Sequence, residues 1–380
     1  MNMIYCDSAA TTPLDKNVIK EMNLISSSIF GNPSSIHKFG QESRAIIERA
    51  RLNIANLIGC DLSEIIFTGC GSESNNIAML GLLKEGDHLI TTSYEHPAVL
   101  KTANELELKG IDVTYIKPNS NGIIELKKVE SAVKKNTKLV SVMYVNNELG
   151  TENPINQISE MTSQLGILFH TDAVQIIGKK NINLNDTKID LLSLSAHKFY
   201  GPKGVGALYI KNGVSLIPTY YGGGQEKDLR PGTENIAYIH GMSIALEIAM
   251  KEQEEWHDKL YGFESLFLDN LKKSNINYTL NGDNLIGGIL SITFHDILSQ
   301  DLVIALDMRG YAISGGSACS SGSIKSSTTL KEIDMDEQLA SRTVRVSFGK
   351  NLKEENIIGL SGCVAEIINS QNHKSIPNAK

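Results

Sequence analysis

The chain is poor in cysteine: five among 380 residues, at Cys6, Cys60, Cys70, Cys319 and Cys363. The number is odd, the spacing is wide and no C-x-x-C pair occurs, which argues against a disulfide framework or a zinc knuckle and leaves reduced thiols as the expectation. No metal site is expected. No apolar run approaches the ~20 residues a membrane span requires. The opening residues, Met1 to Asp7, lack the basic-then-apolar layout of a signal peptide, so a cytoplasmic protein without membrane contact is expected. A basic stripe is missing as well. The 36 Lys and Arg are interleaved with 43 Asp and Glu for a net charge of −7, which disfavours direct nucleic-acid binding. Internal repeats and low-complexity linkers are absent too.

What is present is ample apolar sequence, 41% of the chain, enough for a large core and for two domains or one large and one small. Between about residues 64 and 210, strand-like and helix-like segments alternate. Strands are predicted at 64–68, 88–92, 113–116, 138–144, 167–171, 189–194 and 204–210, and helices at about 73–83, 97–109, 125–134 and 155–165. Such alternation predicts an α/β fold with a mostly parallel sheet and helices on both faces. Ligands of such sheets gather at the carboxyl ends of the strands. A long helical stretch follows at 235–255. Strands at 288–294, 311–313 and 343–348 and a helix at 299–309 then predict a smaller C-terminal α/β domain.

The most informative residue is Lys198, at the end of the apolar run Ile189-Asp190-Leu191-Leu192-Ser193-Leu194. A lysine at the end of a buried strand must be neutralised, paired or covalently used, because burying a bare ammonium is costly. A second apolar strand ends in Thr171-Asp172-Ala173-Val174-Gln175, and a His stands beside each strand end. An acid and a lysine so placed could grip opposite ends of one aromatic cofactor. Pyridoxal phosphate needs that pair, a Lys for a Schiff base and an Asp for the pyridinium nitrogen. Either residue alone reads as a solvated turn residue.

Other segments carry two readings each. Thr68-Gly69-Cys70-Gly71-Ser72-Glu73 joins a strand to a helix, with Ser72 as the expected N-cap. It is either a phosphate seat at a helix N-terminus or an ordinary turn. It lacks the third glycine of a dinucleotide fingerprint. In Tyr94-Glu95-His96-Pro97, Pro97 suits the first helical position and fixes His96 at the corner. There His96 either caps the helix or lies over a flat ring and moves protons. Asn146-Asn147-Glu148-Leu149-Gly150 is a turn at the same sheet edge. Tyr220 to Gln225 and Leu229 to Glu234 read as a loop over a ligand or partner, or as plain surface. Ser314 to Ser323 is small, polar and glycine-rich with Cys319 at its centre. That composition predicts an exposed, mobile loop with a reactive thiol, against the alternative of an accidental surface cysteine. The other four cysteines read as small core or surface residues.

Taken together, these motifs resemble the cysteine desulfurases of the NifS/IscS type, in the class V aminotransferase group of fold-type I pyridoxal-phosphate enzymes. The resemblance runs from Asp7-Ser8-Ala9-Ala10-Thr11-Thr12-Pro13 to Val344-Arg345-Val346-Ser347, and its specific parts are the His197-Lys198 and Ser317-Ala318-Cys319 segments. It implies a large domain at 12–256 with a mostly parallel seven-stranded sheet, and a small domain of 1–11 and 257–380 that carries the cysteine loop. It implies that Lys198 carries the pyridoxal 5′-phosphate and shuttles protons, that Asp172 pairs with the ring nitrogen, and that Gln175 bonds the ring hydroxyl. His96 would stack on the ring and act as acid and base. Gly71, Ser72, Ser195 and His197 would seat the phosphate, with Thr233 reaching it from the other subunit of a homodimer. Arg345 would clamp the substrate carboxylate with help from Asn147. Cys319 would take the sulfur of L-cysteine as a persulfide, leaving alanine, and pass it to a sulfur-acceptor protein.

The departures from the family pattern are Thr68-Gly69-Cys70-Gly71-Ser72-Glu73, where Thr-Ser-Gly-Ala-Thr-Glu is usual, and Ile324-Lys325-Ser326-Ser327, where a proline-containing stretch is usual. Iron–sulfur cluster assembly is the default destination of the sulfur, with transfer-RNA thiolation and DNA phosphorothioation as alternatives. An aminotransferase, a selenocysteine lyase and a silent scaffold are the competing readings of the chain as a whole.

Overall fold

The structure is a computed structural model that describes residues 3–315 and 327–374. Cys319 therefore lies outside the described residues. The strands run in chain order as β1 (Ile4–Tyr5), β2 (Ile65–Thr68), β3 (His88–Thr92), β4 (Asp112–Ile116), β5 (Thr137–Ser141), β6 (Leu168–Asp172), β7 (Leu191–Ser195), β8 (Gly206–Ile210), β9 (Tyr278–Asn281), β10 (Ile289–Phe294), β11 (Tyr311–Ala312), β12 (Ser314–Gly315) and β13 (Thr343–Ser347).

Seven of them form one sheet in the order β2-β8-β7-β6-β5-β3-β4. Only β8 runs against its neighbours, pairing antiparallel with both β2 and β7. The remaining six therefore all point the same way, and their carboxyl ends share one edge. β2, β3 and β7 are buried along their whole length, as expected for strands covered by helices on both faces. The apolar runs read from the sequence are these strands, to within a residue or two at most ends.

Two helices precede the sheet that alternation of strands did not reveal, Lys16–Ser28 and Lys38–Ile58. The second buries Ile46, Ile47, Ala50, Ile54, Ala55 and Ile58, a helical stripe. It stops at Gly59, whose φ of 71° is left-handed and where an added Cβ would strike the Asn183 side chain at 1.8 Å. The helical stretch predicted at 235–255 is two helices, Ile236–Lys251 and Gln253–Lys273, broken at Glu252. At the break the Glu252 carboxylate accepts from Trp256 Nε1 and from Lys350 Nζ.

A second, antiparallel sheet has the order β12-β13-β10-β9, and β1 and β11 form a small parallel pair. Two large apolar clusters result. One covers one face of the seven-stranded sheet, whose opposite face carries a smaller cluster with Ile66, Leu89, Leu139, Leu191 and Leu208, and the other lies between the four-stranded sheet and the helices Gln253–Lys273 and Glu354–Lys374. The amino-terminal segment links the two regions. Its Asp7 bridges to Ser347 at the end of β13, and a few residues on, Thr12 donates from both N and Oγ1 to the His197 carbonyl. Among the described residues no helix is long and apolar enough to cross a membrane.

Candidate active site

The shared carboxyl edge of the sheet, closed over by the amino-terminal segment and by β13, forms a cavity of about 350 Å³. Five of the six strands that point this way deliver residues to it, all but β4. From β2 come Cys70, Gly71 and Ser72, from β3 His96, from β5 Asn147, from β6 Asp172 and Gln175, and from β7 Ser195, His197 and Lys198. Arg345 enters from the middle of β13, in the other sheet. Ten of the residues singled out in the sequence thus line one cavity. Thr233 does not: it is exposed and outside the cavity of its own chain. Among the described residues, no three or more His, Cys, Asp or Glu are grouped to hold a metal ion.

Register explains the central pair. Asp172 ends β6 opposite Ser193 of β7, so the chain needs only the short turn of helix Ala196–Lys198 to bring Lys198 beside it. Asp172 is buried and held on two sides, accepting from Asn75 Nδ2 at 2.7 Å and from the Val174 amide at 3.0 Å. A carboxylate fixed in this way cannot swing toward a protein cation and keeps its remaining lone pairs for a donor in the cavity. Lys198 Nζ donates to the carbonyls of Ala9 and Ala10. Gln175 Nε2 donates to the same Ala9 carbonyl at 2.9 Å, while its Oε1 accepts from Lys179 Nζ at 3.3 Å. Burial, then the charges of Lys198 and Arg345, push Lys179 down to about 7.

The histidines are tuned toward neutrality. His96 is the N-cap of helix Pro97–Leu108, with Pro97 at its first position, and its Nδ1 accepts from the Ala98 amide at 3.1 Å. An accepting Nδ1 leaves the proton of the neutral ring on Nε2. The capping reading of this residue therefore holds, and the cap also lines the cavity. Burial lowers the His96 pKa, with Lys198 acting in the same direction and Asp172 opposing. His197 falls to about 4 for the same first reason, with Lys198, Lys203 and His96 adding to it. Its Nδ1 lies 3.1 Å from Thr11 Oγ1. One layer below, His170 is wholly buried between the Ser141 and Ser193 hydroxyls and falls to about 4.

Helix Gly71–Leu80 starts two residues earlier than Ser72 would allow as a cap. Its N-cap is Cys70, which makes no side-chain cap bond. The first-turn amides therefore face the cavity without a side-chain cap, and Ser72 lies inside the first turn. Cys70, read from the sequence as a plain core or surface thiol, lines the cavity instead. The seat is narrow at Gly71, where an added Cβ would come within 2.7 Å of Val174 Cγ2. Two buried polar atoms nearby lack partners, Asn75 Oδ1 and Arg345 Nε. Arg345 otherwise donates to Asp7 Oδ1 at 2.8 Å and to the Asn147 carbonyl at 2.9 Å. This donor set fits pyridoxal phosphate: an anion seat at a helix N-terminus, a fixed carboxylate and an amine at one sheet edge.

Several groups of this site gave no signal in the sequence. Asn75 and Asp7 are single polar residues whose partners are 97 and 338 residues away. Glu95 is buried beneath the His96 corner, accepts from Thr92 Oγ1 and the Met143 amide, and is pushed up to about 8 by burial.

With this geometry in hand, comparison with known proteins is direct. The family model for "Aminotransferase class-V" matches residues 4–360. The "Cysteine desulfurase IscS" of Dictyoglomus turgidum is 41% identical over 360 residues, covering 93% of this chain and 91% of its own. Among solved structures, a "NIFS-LIKE PROTEIN" superposes with a TM-score of 0.90 at 34% identity, covering 97% of this chain and 100% of its own. A second, "SspA in complex with cysteine", has a TM-score of 0.79 at 39% identity, covering 90% and 98%.

Proposed function

Because this chain belongs to the aminotransferase class-V family and is a pyridoxal-phosphate-dependent cysteine desulfurase, we propose that Lys198, Asp172, Arg345 and Cys319 divide its chemistry among them. When bound, the cofactor supplies a conjugated ring that withdraws electrons from the α-carbon of an amino acid joined to it. The observation that carries the assignment is the meeting of Lys198, Asp172 and Arg345, from three strands and two sheets, in one cavity.

Lys198 holds the cofactor through its amine and, once freed, moves a proton at the substrate α-carbon. Asp172, fixed by Asn75, keeps the ring nitrogen protonated. Gln175 turns its amide toward the ring hydroxyl, and His96 covers the ring with a neutral imidazole whose Nε2 carries the proton. The uncapped amides of Gly71 and Ser72, with Ser195 and His197, bind the phosphate. Arg345 and Asn147 bind the carboxylate of L-cysteine. The Cys319 thiolate bonds to the substrate sulfur as that sulfur leaves carbon, which gives alanine and a persulfide on Cys319. The sulfur then passes to an acceptor protein, by default for iron–sulfur cluster assembly.

The working assembly is a cytoplasmic homodimer in which Thr233 of the partner subunit completes the phosphate site. Its exposure outside its own chain's cavity supports this. The two separate apolar clusters support a division into a large domain at 12–256 and a small domain of 1–11 and 257–380.

Borohydride reduction of the cofactor-loaded protein followed by peptide mapping tests the anchor, and the tag is expected on Lys198. Cys319→Ala is expected to abolish sulfur release from L-cysteine. A tag on another residue, or full sulfur release by the variant, would refute the assignment.

A further inference from the structure

The described residues on either side of the segment that carries Cys319 are tied to the same place. On the upstream side, β12 pairs antiparallel with β13, and Ser314 faces Arg345. On the downstream side, Ser327 Oγ donates to Glu148 Oε2 and Thr329 Oγ1 donates to Glu148 Oε1 at 3.1 Å. Ser327 is the first described residue after the segment. It also caps the helix Thr328–Glu332 by accepting from the Leu330 amide at 3.1 Å. Ser327 and Thr329 are both buried, and Leu330 packs into the apolar cluster of the seven-stranded sheet.

Glu148 stands next to Asn147, whose carbonyl accepts from Arg345. The turn that carries both is rigid, because Asn146 Oδ1 accepts from the amides of Glu148 and Leu149 at 2.9 Å each. Burial raises the Glu148 pKa, and the two hydroxyls and Arg345 oppose that. A carboxylate with two hydroxyl donors on separate oxygens is a two-point clamp. Neither hydroxyl, nor Glu148 itself, lines the cofactor cavity.

We propose that Glu148 is a positioning residue for the sulfur-transfer step, fixing the downstream end of the Cys319 segment against the turn that holds Arg345. The proposal rests on the roles given above to Cys319 and Arg345. In that step a bond forms between Cys319 Sγ and the substrate sulfur while the substrate carbon–sulfur bond breaks, and the electron pair stays with the carbon fragment that is protonated to alanine. Small displacements of an attacking atom cost up to ~100-fold in rate. Glu148 therefore acts on transfer, while binding of L-cysteine depends on Arg345 and Asn147.

The test separates the two. In holoenzyme, Glu148→Ala is expected to slow single-turnover persulfide formation on Cys319, read by mass spectrometry, by about tenfold or more. The dissociation constant of L-cysteine, read from the cofactor spectrum in a Cys319→Ala background, should stay within about threefold of the parent. Glu148→Gln should recover much of the lost rate, because an amide can accept from one hydroxyl and donate to the other. The paired variant Ser327→Ala with Thr329→Val should reproduce the defect, and adding it to Glu148→Ala should cost nothing further. Parental persulfide formation in Glu148→Ala would overturn the proposal, as would a rate and an affinity that fall together. Sulfur release retained by Cys319→Ala alone would instead overturn the assignment of the nucleophile, so the two failures are distinguishable.

Discussion

Arg345→Lys should weaken L-cysteine binding by about 30- to 150-fold and leave the affinity for cysteamine almost unchanged. The side chain of Arg345 is 3% exposed and already spends one NH2 hydrogen on Asp7 and one NH1 hydrogen on the Asn147 carbonyl. Its Nε–H is buried without a partner. A substrate carboxylate can take that hydrogen together with a second one from the same fork. A hydrogen bond to a charged group contributes about 1.5–3 kcal/mol, and an unmet buried donor costs about 1–3 kcal/mol. Lysine keeps the charge but offers no planar fork, and its ammonium must also serve Asp7. The loss is then about 2–3 kcal/mol, which at about 1.4 kcal/mol per tenfold gives the stated range. The assay is titration of the cofactor absorbance with each ligand, in a Cys319→Ala background so that turnover does not intervene. Cysteamine lacks the carboxylate and cannot sense the fork. An equal loss for both ligands would show that position 345 supports the site as a whole, and no loss for either would show that the carboxylate binds elsewhere.

Four further expectations follow from buried groups. His170 titrates near 4 in the folded chain and near 6.5 when unfolded, so the unfolded chain binds more protons between those values. Stability should be level above about pH 6.5 and fall by up to about 3 kcal/mol as the pH drops through 4, with a shallower slope in His170→Asn; an unchanged urea-midpoint slope would contradict this. Glu95 is neutral at pH 7, since burial raises it to about 8, so its stabilisation is lost as the pH rises from about 4.5 through 8. Glu95→Gln should melt near the parent only below about pH 4.5 and increasingly above it at pH 7 and pH 9, and a melting point below the parent's at pH 9 would refute that sign. Gly71→Ala should cost about 1–3 kcal/mol and weaken cofactor retention, because its Cβ meets Val174 at 2.7 Å. Val174→Ala should rescue it, and a double variant as weak as the single one would place the defect elsewhere. The buried pair of Arg51 and Glu226 joins NH1 to Oε2 and NH2 to Oε1 at 2.8 Å each. Arg51→Ala should cost about 3–5 kcal/mol by stranding the carboxylate, and a change below 1 kcal/mol in chemical denaturation would rule that out.

How much of this was legible beforehand follows the range of each interaction. Strands of the seven-stranded sheet were readable because a strand buried on both faces is an apolar run in any window of five residues. Lys198, Asp172 and His96 were readable for a related reason: each lies within four residues of the end of such a run, so its place in the sequence is also its place at the sheet edge. The helix Lys38–Ile58 escaped because its stripe includes three alanine and serine positions among charges, although Gly59 marks its end. Glu252 breaks a continuous helical pattern through Trp256 and Lys350, the latter 98 residues away. No local window contains that contact.

The second half of the site is built by the same long-range logic. Arg345 is the one charged residue in a buried five-residue strand, yet what gives it a role is the way the amino-terminal segment crosses between the two sheets. That segment brings Asp7 to Arg345, the Ala9 carbonyl to both Gln175 and Lys198, and Thr12 to His197. Four residue pairs separated by more than 160 positions are thereby set by one short stretch of chain. Residues 8–10 form a turn in which the Ala10 amide donates to the Asp7 carbonyl at 3.0 Å, and removing Ala10 breaks that turn and shifts the Ala9 carbonyl away from Lys198 and Gln175. Deletion of Ala10 should therefore weaken cofactor retention and L-cysteine binding together, whereas Arg345→Lys affects the second alone. A deletion variant that loses only substrate affinity would show that the amino-terminal carbonyls do not organise Lys198 and Gln175.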